Sequence, residues 1–200
     1  MTTAAVLLAA GLGTRFDGPT PKLLAPFRGR RVVDWAVAAA VDAALDETIV
    51  VTGTVPARDL HLPGAVTVVH NAEPGDGQAS SVQVALAHAR TVGHSAVVVG
   101  LADQPLVLAE AWRRVAAERS RAIAVATYGG RRGNPVRLAA DVWPMLPATG
   151  DAAGRAVMAE HPELVVAVPC PGDPADIDTV EDLARWSRIV SSPATGPRHN

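Results

Sequence analysis

Residues 8–22 read Leu8-Ala-Ala-Gly11-Leu-Gly13-Thr14-Arg15-Phe-Asp-Gly-Pro-Thr-Pro21-Lys22, a glycine-rich turn that ends in two cations. Glycines let backbone N–H groups approach an anion closely, and a guanidinium fork with an ammonium point charge suits phosphate oxygens. Such a loop can hold a triphosphate. Two commoner glycine loops are excluded by the letters. A dinucleotide fingerprint needs glycine at position 16, where Phe16 stands, and an acidic residue closing the second apolar run, Thr48–Thr52, which has none. A P-loop needs Gly-Lys followed by Ser or Thr, whereas Lys22 lies between Pro21 and Leu23. Lys22 is also the only lysine: lysine and arginine together number 18, so seventeen are arginines. A chain that otherwise writes arginine keeps a compact, mobile charge here, as a shifting phosphoryl group would require. The plain alternative is a solvated loop lysine of no consequence.

The carboxylates follow the same logic. In Val97-Val-Val-Gly100-Leu-Ala-Asp103-Gln104-Pro105, Asp103 stands just past an apolar run, a suitable place for a hard cation that bridges phosphate oxygens. The competing role is an N-cap for a helix starting near Leu108, from which Pro105 and a five-residue gap separate it. A second cluster, Asp176-Ile177-Asp178-Thr179, has Glu181 and Asp182 behind it, which is also an ordinary capping arrangement. Magnesium takes one or two protein carboxylates and leaves the rest to water and phosphates, so Asp103 with Asp178 would suffice. The six histidines, at 61, 70, 88, 94, 161 and 199, show no metal-ligand spacing, and no Gly-x-Ser-x-Gly elbow occurs. Cys170 is the single cysteine and makes neither an intramolecular disulfide nor a metal site.

Elements must position these residues. Two hundred residues, 48% hydrophobic and 4% aromatic, suit one domain over 1–190 whose interior is filled by Ala, Val and Leu. A net charge of −2 lacks the basic field of a nucleic-acid binder. Apolar runs recur at Ala4–Ala9, Thr48–Thr52, Val66–Val69, Ala96–Gly100, Ala122–Ala126 and Leu164–Val168, without polar alternation, as in strands buried on both faces. Helical periodicity fills Val32–Leu45, Ser80–Arg90, Leu108–Arg119, Ala139–Met145 and Ala152–His161. The alternation predicts a three-layer α/β/α sandwich with a mostly parallel sheet. Tyr128-Gly-Gly-Arg-Arg-Gly-Asn-Pro135 is dense in turn formers and predicts an irregular or hairpin excursion. A last helix is expected near Val180–Ile189, then a disordered tail over 191–200. The run Ala4–Ala10 feeds directly into a glycine loop and reads as a strand, not as a signal peptide or membrane span, so a cytoplasmic protein without a membrane partner is expected.

Together the motifs resemble a known family. Leu8-Ala-Ala-Gly-x-Gly-Thr-Arg15 with Pro21-Lys22 resembles the signature loop of sugar-nucleotide and cofactor nucleotidyltransferases. Leu101-Ala-Asp-Gln-Pro105, Gly150-Asp-x-x-Gly-Arg155 and Asp176-Ile-Asp-Thr179 narrow the resemblance to the MobA-like NTP transferases, closest to the molybdenum cofactor cytidylyltransferases, over about residues 4 to 190. The resemblance implies a nucleotide-diphospho-sugar transferase-like, Rossmann-like fold. It implies Mg2+-dependent transfer of a nucleoside monophosphate from an NTP to a phosphorylated acceptor such as molybdopterin cofactor, with a molybdoenzyme as downstream partner. By the same resemblance, Leu8, Ala9, Ala10, Gly11, Gly13 and Thr14 bind nucleotide, and Arg15 and Lys22 form the catalytic phosphate-binding pair. Asp103 is then the catalytic metal carboxylate, Asp178 the second metal ligand, and Gly77, Ser80 and Ser81 hold base and ribose. Ala10 in place of glycine is the form that accompanies cytidylyl transfer, so CTP is the favoured donor. Gln78 stands where methionine is usual, Asn134 where the relatives often have histidine, and the six residues between Arg15 and Lys22 exceed the compact loops.

Two other functions compete. The Tyr128–Pro135 segment resembles that of the nicotine blue oxidoreductases, which would make this an NAD(P)H-dependent reductase, against the failed dinucleotide fingerprint. A non-catalytic carrier of molybdenum cofactor would need an acceptor pocket but not Arg15, Lys22 and two acids. Residues 128–155, with Arg131, Arg132 and Arg155, are expected to line the acceptor pocket.

Overall fold

The computed structural model describes residues 1–188; the expected tail over 191–200, and the last residue of the expected final helix, lie outside the described residues. Along the chain come β1 (Thr3–Ala9), a ribbon of β2 (Pro26–Phe27) and β3 (Arg30–Arg31), α1 (Val32–Asp42), β4 (Glu47–Thr52), α2 (Ala57–Leu60) and β5 (Thr67–His70). Then follow α3 (Gln78–Val92), β6 (Ala96–Leu101), α4 (Ala109–Ala117), β7 (Ile123–Tyr128), β8 (Arg131–Ala139), α5 (Ala153–Glu160), β9 (Val165–Pro169) and α6 (Val180–Arg188). Seven strands form one sheet in the order β5-β4-β1-β6-β8-β7-β9.

All seven residues of β1 are buried. Because successive side chains point to opposite faces, the strand serves two cores. Ala5, Leu7 and Ala9 join Val33, Ala36 and Val37 of α1 and Trp112 and Val115 of α4. Ala4, Val6 and Leu8 join Val82, Ala85 and Leu86 of α3 on the other face. This is the expected three-layer sandwich, and each such Val or Leu contributes about 2 kcal/mol by leaving water. Trp112 packs closely on β6 because Gly100 leaves room: a Cβ there would sit 2.5 Å from its ring. A third, smaller cluster joins Ala25, Phe27, Val32 and Ile177, with Phe16, Leu183 and Trp186 packed against it.

The chain runs from β1 outward to β4 and β5, all parallel, then returns to place β6 on the other side of β1, again parallel. Such a reversal leaves a crevice beyond the carboxyl ends of β1 and β6.

The segment read as an excursion is a hairpin, and its second arm is a full sheet strand. Gly129 and Gly130, both at positive φ, make the turn. The nine residues of β8 then insert antiparallel between β6 and β7. Register passes from Val125↔Val136 to Ala126↔Gly133, so Asn134 and Pro135 form a bulge. A proline at a bulge removes no ladder hydrogen bond, which is how a turn-like sequence becomes a central strand. The helix expected at Ala139–Met145 is instead a 3-10 turn over Ala140–Met145, interrupted by Pro144. Among the described residues no helix is long and apolar enough to cross a membrane.

Candidate functional site

A cleft of about 480 Å³ opens at the carboxyl ends of β1 and β6. One wall is the signature loop from Leu8 to Arg15 with Lys22, and the opposite wall is Gly77, Gln78 and Ser81 at the start of α3. Its floor holds Asp103, Asp176 and Asp178, and it is also lined by Arg155 and by Asp151, whose Oδ1 accepts from Gln78 N (3.4 Å). Among the expected binding residues, Leu8, Ala9, Ala10, Gly11, Gly13, Thr14, Gly77 and Ser81 line the cleft, whereas Ser80 does not. The Ser80 hydroxyl donates to the Gly77 carbonyl (2.8 Å) and accepts from Asn71 Nδ2 (2.9 Å), bracing the turn ahead of α3. Arg155 lines the cleft but Arg131 and Arg132 do not, because the β8 arm carries them out along the hairpin.

Lys22 opens a 3-10 turn that follows Pro21 and is anchored by the buried Leu23. Its stem therefore leaves the loop toward β6. Nζ lies 2.6 Å from Asp103 Oδ2 and 3.1 Å from Asp178 Oδ1, while the Arg15 guanidinium lies 3.0 Å from Asp178 Oδ2. The Lys22 side chain is 13% exposed and that of Arg15 74%. Burial alone would lower the lysine pKa, but the adjacent Asp103 and Asp178 outweigh it, so the ammonium is held charged above its ordinary range. The solvated-loop reading of Lys22 does not describe this side chain.

Neither carboxylate is used as a cap. Thr179 and Asp182 bond reciprocally at the start of α6, with Asp182 N donating to Thr179 Oγ1 and Thr179 N donating to Asp182 Oδ2. That leaves Asp178 for the cleft. α4 starts without a side-chain cap, so Asp103 has no such role either. The two acidic segments are joined directly: Ile177 N donates to the Asp103 carbonyl (2.9 Å), and the Ile177 side chain is fully buried in the third cluster.

A polar relay, invisible to motif reading, backs the floor. Gln104 is 4% exposed. Its Nε2 donates to Pro174 O (2.9 Å) and to Asp176 Oδ1 (2.8 Å), while its Oε1 accepts from Asn134 Nδ2 (3.2 Å). Tyr128 Oη in turn donates to Asn134 O (2.7 Å). Burial and the nearby charges of Asp103 and Asp178 push the Asp176 carboxyl above the usual range. Gln104, Asn134 and Asp176 each lie inside a motif, but nothing in those motifs shows that the three side chains meet.

The donor set suits a hard divalent cation. Among the described residues, Asp103 Oδ1 is buried and has no hydrogen-bond partner, a cost that a bound cation would remove. Among the same residues no group of three or more His, Cys, Asp or Glu side chains is placed so that it could hold a metal ion, so a cation here would rest on fewer protein ligands. Two carboxylates with the remaining positions left to water and phosphates is the shell magnesium accepts.

The family model for the MobA-like NTP transferase domain matches residues 5–165. The nicotine blue oxidoreductase of Paenarthrobacter nicotinovorans is 34% identical over 196 residues, covering 90% of this chain and 94% of that protein. A nucleotidyl transferase from Methanothermobacter (Mth528) superposes with a TM-score of 0.78 at 26% identity, covering 93% of this chain and 96% of that one. Rv0371c of Mycobacterium tuberculosis, solved as a complex with manganese, gives 0.77 at 25% identity, covering 95% and 100%.

Proposed function

Because this chain belongs to the MobA-like NTP transferase family, a family of nucleotidyltransferases, we propose that it transfers CMP from CTP to a phosphorylated acceptor of the molybdopterin type and releases pyrophosphate, with Mg2+ as cofactor. The contact of 2.6 Å between Lys22 Nζ and Asp103 Oδ2, in a cleft lined by three aspartates, carries the reading. It brings the cationic glycine turn and the acidic strand end together, as transfer at an α-phosphorus needs.

An acceptor phosphate oxygen is already anionic at neutral pH, so no protein nucleophile or general base is required. The backbone of Gly11 and Gly13 receives the triphosphate, and Arg15 and Lys22 take up charge on the departing pyrophosphate. Asp103 and Asp178 would hold the divalent cation, which supplies charge neutralisation between donor and acceptor oxygens. Ala10 lines the cleft, and its resemblance to the alanine form of the signature loop, which accompanies cytidylyl transfer, supports CTP over GTP as donor.

The nicotine blue oxidoreductase, matched over nearly its whole length, favours a second reading as an NAD(P)H-dependent reductase. Phe16, packed against the third cluster in place of the third fingerprint glycine, opposes it. Thermal shifts with CTP, GTP and NADPH, each with Mg2+, separate the two, since a ligand that binds the native state raises apparent stability. CTP is expected to shift most, and a shift from NADPH alone would overturn the transferase reading. In a pyrophosphate-release assay with CTP and a pterin acceptor, Asp103→Ala should lose about a hundredfold or more in turnover. Unchanged turnover would remove Asp103 from the mechanism. Absence of pyrophosphate from the wild-type chain would favour a non-catalytic carrier.

A further inference from the structure

We infer that Lys22 makes the site specific for a divalent cation and a nucleoside triphosphate taken together, because its ammonium is bound to the very carboxylates that would receive the cation. The inference rests on the nucleotidyl-transfer reading above and adds to it the form in which the donor is accepted.

Three of the four carboxylate oxygens of Asp103 and Asp178 have cationic partners. Lys22 Nζ takes Asp103 Oδ2 and Asp178 Oδ1, and Arg15 takes Asp178 Oδ2. The fourth, Asp103 Oδ1, is the buried atom with no hydrogen-bond partner among the described residues. The two groups suited to phosphate and the two suited to a metal are thus each other's counter-ions. A divalent cation arriving alone must displace Nζ and leave an ammonium, on a side chain 13% exposed, without an anion. A triphosphate arriving alone must draw Lys22 and Arg15 away and leave Asp103 and Asp178 unpaired beside Asp176. Each ligand by itself breaks favourable pairs as it makes new ones.

Arriving together, the two ligands exchange partners with the protein. The cation takes the carboxylates, the phosphates take Lys22 and Arg15, and every charge keeps an opposite neighbour. Linkage makes this coupling reciprocal: the nucleotide tightens the cation as much as the cation tightens the nucleotide. The exchange also accounts for a lysine here. A compact ammonium on a flexible four-carbon stem can leave one pair of anions for another, whereas a guanidinium fork favours fixed bidentate pairing.

The test is direct binding of Mn2+, followed by electron paramagnetic resonance of the free ion, to the full chain with and without a non-hydrolysable CTP analogue. The wild-type chain should bind Mn2+ about tenfold or more tightly with the analogue present. Lys22→Met keeps the aliphatic stem and removes the charge; it should bind Mn2+ alone about tenfold more tightly than wild type and lose the enhancement by nucleotide. Lys22→Arg, which keeps the charge, should leave Mn2+ alone weakly bound. Free Mn2+ affinity that is unchanged or weaker in Lys22→Met overturns the inference while leaving nucleotidyl transfer intact. If that variant fails to fold, equal Mn2+ affinity of the wild type with and without analogue overturns it equally well. A wild-type chain that binds no Mn2+ under either condition removes the transfer reading, and this inference with it.

Discussion

Gln104 carries no charge and no nucleophile, yet its carboxamide joins two segments behind the cleft: the bulge at Asn134, and the loop that holds the carbonyl of Pro174 and the carboxylate of Asp176. Replacing it with leucine removes all three bonds made by this buried side chain and leaves three half-buried or exposed partners without them. Gln104→Leu is expected to cost about 2 kcal/mol, read by denaturant unfolding, since an unmade buried bond forfeits the desolvation of its groups. Asp176 and its neighbour Asp178 would also lose their alignment with Asp103. Turnover should fall by about tenfold to a hundredfold at saturating nucleotide, because small misplacements of positioning groups cost that much. Unaltered turnover together with lowered stability would make Gln104 a structural residue only. At this scale the sequence revealed residue types and not their partners. Lys22 stood out as the sole lysine, but nothing local said that it reaches residues 81 and 156 positions away.

At the scale of elements, the wall opposite the signature loop depends on two turns meeting. Gly77 has φ +88°, and a Cβ there would lie 2.6 Å from the Gly150 carbonyl carbon; Gly150 has φ +91° but open space around it. Ala79 N donates to Gly150 O (2.9 Å) and Gly150 N donates to Asp76 O (2.7 Å), which locks the turns together. Gly77→Ala should therefore cost more than Gly150→Ala, about 2 kcal/mol or more against about 1 kcal/mol, because the first adds a clash to the backbone strain common to both. Denaturant unfolding of the two variants checks the order, and equal losses would show that the contact between the turns relaxes freely. Most elements were legible beforehand because a strand buried on both faces leaves an unbroken apolar run. β8 was not, because Arg131, Arg132, Gly133 and Pro135 carry turn chemistry and a bulge absorbs two of its residues. The 3-10 turn at Ala140–Met145 was read as helix because apolar spacing alone does not register what Pro144 interrupts.

At the scale of the whole molecule, the sheet separates a chemical end from a structural end. At the start of β4, Glu47 accepts from Thr67 Oγ1 (2.6 Å) and is bonded to His88 Nε2 (2.9 Å) and His94 Nε2 (2.7 Å), tying the sheet to the end of α3. Burial alone would raise its carboxyl, but hydrogen bonds from Thr67, His94 and His88 outweigh it and hold the pKa at about 2, against an ordinary 4.5. A carboxyl lowered on folding stabilises above its unfolded pKa, and that stability is lost as pH falls from about 4.5 toward about 2. Glu47→Gln should lower unfolding free energy by up to about 3 kcal/mol at pH 7, with the difference from wild type shrinking as pH approaches 2. A difference independent of pH would place the loss in packing. The amino-acid sequence by itself determined the layered α/β order, the glycine turn after the first strand and the acids after the apolar run Ala96–Gly100 and before the last helix, since apolar periodicity and turn chemistry are local properties. Only the tertiary structure decided that Lys22 sits between Asp103 and Asp178, that Arg131 and Arg132 leave the cleft, and that Gln104 braces its floor. Those outcomes depend on which loops meet once Ile177 is buried against the ribbon and β8 is threaded into the sheet, and contacts between distant segments are set by packing, not by neighbours along the chain.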